Sequence, residues 1–148
     1  MKLNDIGYKL ITGFEGFRAK PYLCSAKVAT IGYGSTFYLD GKKVTMADKP
    51  ITEVDAFNMF KKIADDFANK VSDLIKKPLT QNQFNALVSI SYNIGINAFS
   101  KSTLLKKVNI DDNDPNIKLE FMKWCNVNKK PNKGLINRRE HEVLIYFS

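Results

Sequence analysis

The chain has 148 residues, 44% hydrophobic and 26% charged, which suits one domain able to bury its own core without staples. Its 23 Lys and Arg against 15 Asp and Glu leave a net charge of +8, which points to an anionic partner such as nucleic acid, a membrane face or an acidic wall polymer. Two cysteines and one histidine exclude a disulfide framework and an ordinary multi-ligand zinc site, so no metal or cofactor is expected.

In chain order, Leu3, Ile6, Leu10, Ile11 and Phe14 recur at three- and four-residue steps, predicting an amphipathic helix that ends near Glu15-Gly16. The helix C-terminal end disfavours an anion, and burial between Phe14 and Phe17 acts the same way, so Glu15 is expected to hold its proton unusually well. Residues 16–51 change character. Pro21, Gly32, Gly34 and Asp40-Gly41 punctuate runs rich in Tyr, Val, Thr and Ile, predicting a small antiparallel sheet of three strands, with a hairpin at Asp40-Gly41.

Val54, Phe57, Ile63, Ala64, Phe67, Val71 and Leu74 keep helical period over residues 52–76, a long connector before Pro78. Thr80 with Gln83 reads as a capping box opening a largely apolar helix that Gly95 stops. Ser102 is placed to cap a short helix over 103–108, and Asp114 to cap another with Pro115 at its first position. Pro131 and Gly134 are read as bracketing a turn before a last helix, in which Arg138 and Glu142 pair at i,i+4. The helical region covers about 79–148 together with the N-terminal helix. Lysine pairs such as Lys42-Lys43 and Lys106-Lys107 are dispersed, so no tract reads as a nucleic-acid arm. No apolar run is long enough to span a membrane.

The stretch 12–36 carries the chemistry. Acid-catalysed glycosidic cleavage needs a protonated carboxylic acid and a second group that stabilises the oxocarbenium ion or activates water. Glu15 is the candidate acid, and Cys24 and Thr30 are placed on the facing β-ribbon. Each also has an ordinary reading: a glutamate at a fraying helix end, a small hydrophobe, and a strand-forming threonine.

Eight residues separate Glu15 from Cys24 and five separate Cys24 from Thr30. That spacing resembles the catalytic pattern of the phage-type lysozymes (endolysins, muramidases), where the middle position is Asp or Cys. The surroundings are similar as well: Phe14-Glu15-Gly16-Phe17-Arg18, Tyr22, and Thr30-Ile31-Gly32-Tyr33-Gly34. Later blocks follow in order: Ser91-Tyr92-Asn93-Ile94-Gly95, Ser102-Thr103-Leu104-Leu105, Trp124, and Gly134-Leu135 with Arg138-Arg139 and Glu142.

The resemblance implies a two-lobed α+β lysozyme-like fold with a cleft between the lobes. It implies hydrolysis of the β-1,4 bond between N-acetylmuramic acid and N-acetylglucosamine in peptidoglycan. Glu15 would be the general acid, Cys24 would stand where Asp is usual, and Thr30 would position the attacking water, with inversion as the outcome. Gly34, Tyr92, Asn93 and Ser102 would line the sugar site. Arg138 or Arg139 would approach Glu15, lowering its pKa and opposing the effect of burial. Some relatives carry an N-terminal signal-arrest segment. None is read here, so cytoplasmic retention, release through a holin-type lesion and action on the periplasmic wall are expected of a monomer. The alternative is a non-catalytic peptidoglycan-binding protein on the same fold, with Cys24 marking a lost catalytic Asp.

Overall fold

A computed structural model describes residues 1–148 as two compact units, Met1–Leu10 with Asp66–Ser148, and Ile11–Asp65. Two helices belong partly to each: α1 (Asp5–Glu15) and α2 (Glu53–Leu74). The fold is α+β, with small antiparallel sheets among seven helices. The helix predicted to reach residue 76 ends at Leu74, where Asn109 Nδ2 donates to the Leu74 carbonyl at 3.1 Å. Pro78 therefore lies beyond the helix end rather than setting it.

In the unit 11–65, β1 (Arg18–Leu23) pairs antiparallel with β2 (Ala29–Gly32). The register slips between Arg18 and Tyr22, where Pro21 has no N–H to give to the ladder. The third strand expected from the sequence does not form. Instead, single bridges join Ile31 to Ser35 and Phe37 to Lys43. The Asp40-Gly41 turn is present, with Gly41 N–H donating to Tyr38 O at 3.0 Å, but the segments beside it are too short to ladder. Side chains close the gap: Ile31, Val44 and Met59 are buried together, with Ala29, Tyr38 and Ile51 packed against them. Gly32 has φ +68°, and a β-carbon there would come within 2.9 Å of the Ala56 β-carbon, so α2 packs on the bare backbone of β2.

In the other unit, α3 (Gln81–Ile94) opens with a reciprocal capping box between Thr80 and Gln83 and closes at Gly95. α4 (Ile96–Ser100) leads to α5 (Thr103–Ile110), capped by Ser102. α6 (Ile117–Met122) starts later than predicted. Asp114 Oδ1 accepts from the Asn116 N–H at 2.8 Å, closing a turn, and Asn116 takes the cap position without a side-chain bond. Gly134, expected in a turn, lies inside α7 (Lys133–Tyr146), because Asn132 caps that helix through the Leu135 N–H. The turn before it is the hairpin of β3 (Asn126–Val127) and β4 (Lys130–Pro131). α3 and α7 pack on each other, burying Phe84, Leu87, Ile90, Val143 and Tyr146.

Candidate active site

Glu15 is the last residue of α1, half-buried, and the chain turns away from it through Gly16 at φ +70°. The turn after β2 brings Gly34 alongside. A β-carbon on Gly34 would lie 3.6 Å from Glu15 Oε2, so the carboxyl faces bare backbone at that position. Space for a substrate atom next to an acid is what a proton donor requires.

Cys24 and Thr30 meet through Val28. Cys24 begins the turn between β1 and β2, its N–H donating to Val28 O at 3.0 Å, while its own carbonyl accepts from Lys27 N–H at 2.8 Å. Thr30 is 3% exposed on β2, and its hydroxyl donates to the same Val28 carbonyl at 2.9 Å. The Cys24 thiol is held below its ordinary range. The Val28 and Ala26 backbone N–H groups contribute most to this; desolvation opposes them, and the Thr30 hydroxyl adds a weaker contribution in favour of the thiolate. A tight turn thus makes a half-exposed cysteine more anionic.

The remaining predicted site residues belong to the helical unit. Tyr92, near the end of α3, is half-buried with its ring 5.2 Å from that of Phe67, and Asn93 is exposed. Ser102 is 6% exposed, with its hydroxyl committed to a cap: it accepts from Leu105 N–H at 3.1 Å and donates to Phe99 O at 2.7 Å.

Arg138 and Arg139 converge on Glu142, which is fully buried. Glu142 Oε1 accepts from Ser89 Oγ at 2.7 Å, Arg139 at 3.0 Å and Arg138 Nε at 3.3 Å. Arg139 Nε also lies 2.7 Å from Glu142 Oε2, an ion-pair contact without hydrogen-bond alignment. Burial pushes the Glu142 carboxyl up, opposed by the two guanidiniums and the Ser89 hydroxyl. Burial likewise pulls Arg139 down against the attraction of Glu142. Sequence spacing gave the Arg138–Glu142 pair but not Ser89, which comes from a helix 53 positions earlier in the chain. No group of three or more His, Cys, Asp or Glu is placed to hold a metal ion.

Comparison with known proteins gives the family. Residues 12–142 match the family model described as phage lysozyme. An endolysin of Acyrthosiphon pisum secondary endosymbiont phage 1 is 39% identical over 156 residues, covering 100% of this chain and 99% of the relative. The endolysin of Bacillus phage B103 is 36% identical over 150 residues, and this chain spans 55% of its length. Among solved structures, the endolysin from Escherichia coli O157:H7 phage FAHEc1 superposes with a TM-score of 0.91 at 38% identity, covering 100% of this chain and 94% of that one. Matched over most of its length by the family model and over all of it by a relative at 39% identity, the chain belongs to the phage lysozyme family and has that family's peptidoglycan-lytic role.

Proposed function

We propose that the protein is a muramidase, cleaving the β-1,4 bond from N-acetylmuramic acid to N-acetylglucosamine in peptidoglycan and so lysing a bacterial host. The observation that carries this reading is the unit 11–65, where Glu15 faces Gly34 and Val28 ties Cys24 to Thr30. Glu15 gives its proton to the glycosidic oxygen as the bond to the anomeric carbon breaks. A water held by Cys24 and Thr30 adds to that carbon from the opposite face, losing its proton to the thiolate. The anomeric configuration inverts. The Cys24 thiol then releases its proton to solvent and Glu15 takes one up, restoring both groups.

Gly34, Tyr92 and Asn93 are assigned to contacts with the sugars. Ser102, grouped with them by family resemblance, has its hydroxyl in the α5 cap. Arg138 and Arg139 act as supporting charges. No helix is long and apolar enough to cross a membrane, in keeping with a monomer that waits in the host cytoplasm for a holin-type lesion and then reaches the wall. The positive net charge favours an anionic wall, an attraction that weakens with salt.

Digestion of purified peptidoglycan followed by borohydride reduction tests the bond assignment. A muramidase converts the new reducing ends to muramicitol. Glucosaminitol in its place overturns the assignment, and the absence of either alcohol favours the binding-protein reading.

A further inference from the structure

The end of β2 runs into a closed three-residue loop. Ile31 and Ser35 exchange both backbone hydrogen bonds, each 2.9 Å, and Gly32, Tyr33 and Gly34 form the loop they close. Loop apices usually face water. This one does not: Tyr33 is only 8% exposed. Its ring lies 5.6 Å from that of Phe17 and 6.0 Å from that of Phe60. Its hydroxyl donates to Glu53 Oε1 at 2.7 Å.

One contact of Tyr33 and one chain neighbour lie close to Glu15. Phe17 is two residues after Glu15 in the chain, and Gly34, next to Tyr33, is the residue whose backbone faces Glu15 Oε2. Glu53 is the first residue of α2, where the helix dipole favours a carboxylate. With φ +68° and +89° at Gly32 and Gly34, the loop backbone is permissive on both sides of Tyr33, so its position depends on what the tyrosine side chain grips.

We propose that the Tyr33–Glu53 hydrogen bond is a latch that fixes the Gly32–Gly34 loop beside Glu15, making Tyr33 and Glu53 positioning residues for the proton transfer. Ring packing on Phe17 and on Phe60 of α2 is non-directional. The 2.7 Å bond adds a directional tie from the loop to the start of α2. Burial, with a further push from Glu53, raises the Tyr33 phenol, which keeps its proton on the donor side of the latch at neutral pH. A cavity of about 350 Å³ lined by Tyr33, Glu53, Val54 and Phe57 opens beside the pair, so a released tyrosine has room to move. This inference rests on the muramidase reading, and its test has two readouts so that the two can fail separately.

Tyr33→Phe removes the donor, Glu53→Ala removes the acceptor, and Glu53→Gln keeps an acceptor oxygen while losing the charge. On peptidoglycan, each of the first two lowers kcat by about three- to tenfold, the worth of one ordinary hydrogen bond, with KM held within about twofold. The double variant Tyr33→Phe/Glu53→Ala is no slower than either single, because both remove the same interaction. Glu53→Gln stays near the parent rate. Amide exchange at Ile31 and Ser35 is faster in Tyr33→Phe and Glu53→Ala and parent-like in Glu53→Gln. Unchanged kcat in the two disrupting variants, additive losses in the double, or Glu53→Gln as slow as Glu53→Ala overturns the latch. A parent protein releasing no reducing ends would sink the muramidase reading instead. The exchange rates then decide the latch alone, and unchanged protection at Ile31 and Ser35 overturns it.

Discussion

Two glutamates, one in each unit, show what the same side chain becomes in different surroundings. Glu142 is fully buried in the helical unit, with two arginines and the Ser89 hydroxyl on its carboxylate. Glu15 is half-buried at a helix end, with the bare backbone of Gly34 beside one of its oxygens. The first arrangement holds a carboxylate among fixed partners in the core, and the second places one at the edge of a turn. The unit 11–65 accordingly builds its site on short strands, tight turns and positive-φ glycines, while the helical unit places its charges on long packed helices. The buried charge cluster and the proposed acid thus lie in different units, and substitutions at each should fail in different ways.

The largest effect on stability should come from Glu142→Ala. Leaving Arg138 and Arg139 buried without their carboxylate costs about 3–5 kcal/mol, by the usual penalty for breaking a buried pair. In thermal denaturation this is a drop of roughly 10 °C for a chain of this size. Any reducing-end release measured well below the melting point should persist. A melting temperature unchanged by Glu142→Ala would remove the contrast between the units.

Cys24→Asp should fold normally and keep reducing-end release within about tenfold of the parent, since either side chain presents an anion to the water. Complete loss of release with intact folding would mean that the sulfur itself is needed. Smaller again are the caps. Thr80→Ala and Ser102→Ala should each cost about 1 kcal/mol in denaturant unfolding, the ordinary worth of a helix N-cap. A Ser102→Ala variant that keeps its stability but loses substrate affinity would move Ser102 from the cap to the sugars.

The subtlest prediction concerns the Cys24 thiol. Its folded pKa is depressed, so the thiolate-stabilising contacts contribute to stability above the unfolded thiol's pKa and are lost as pH falls through the folded value. Iodoacetamide alkylation of Cys24 should therefore reach half-maximal rate at a lower pH in the native protein than in urea. Identical midpoints would show that the Val28 and Ala26 amides do not act on the sulfur. Peroxide or a disulfide reagent should also silence the enzyme reversibly, because oxidation consumes that thiolate.

What could be read from the sequence follows the range of the interactions involved. The Thr80–Gln83 capping box, the Ser102 cap and the end of α1 at Glu15 are set by residues within four positions of one another, and all three appear as expected. The start of α6 was misplaced because Asp114 has two local options: it caps a turn through Asn116 instead of a helix. The missing third strand has another cause. Residues 35–44 have strand-like composition, but contacts to α2 through Val44 and Met59 hold the segment, and only isolated bridges form. In the site, the Glu15, Cys24 and Thr30 spacing was legible, as was the Arg138–Glu142 pair. The Val28 carbonyl shared by Cys24 and Thr30 was not, because it is backbone and leaves no mark in residue identity. Ser89 on Glu142 and Tyr33 on Glu53 join residues far apart in the chain, and spacing carries no trace of either.

The most direct test of the separation between the two units is reducing-end release from purified peptidoglycan by the parent protein and by Glu15→Gln, under reducing conditions, with melting temperatures measured in parallel. Release should fall by about 10²–10⁴-fold in the variant, the usual contribution of a general acid, while the melting temperature stays within a few degrees of the parent. Release by Glu15→Gln at the parent rate would contradict the assignment of Glu15 as the acid.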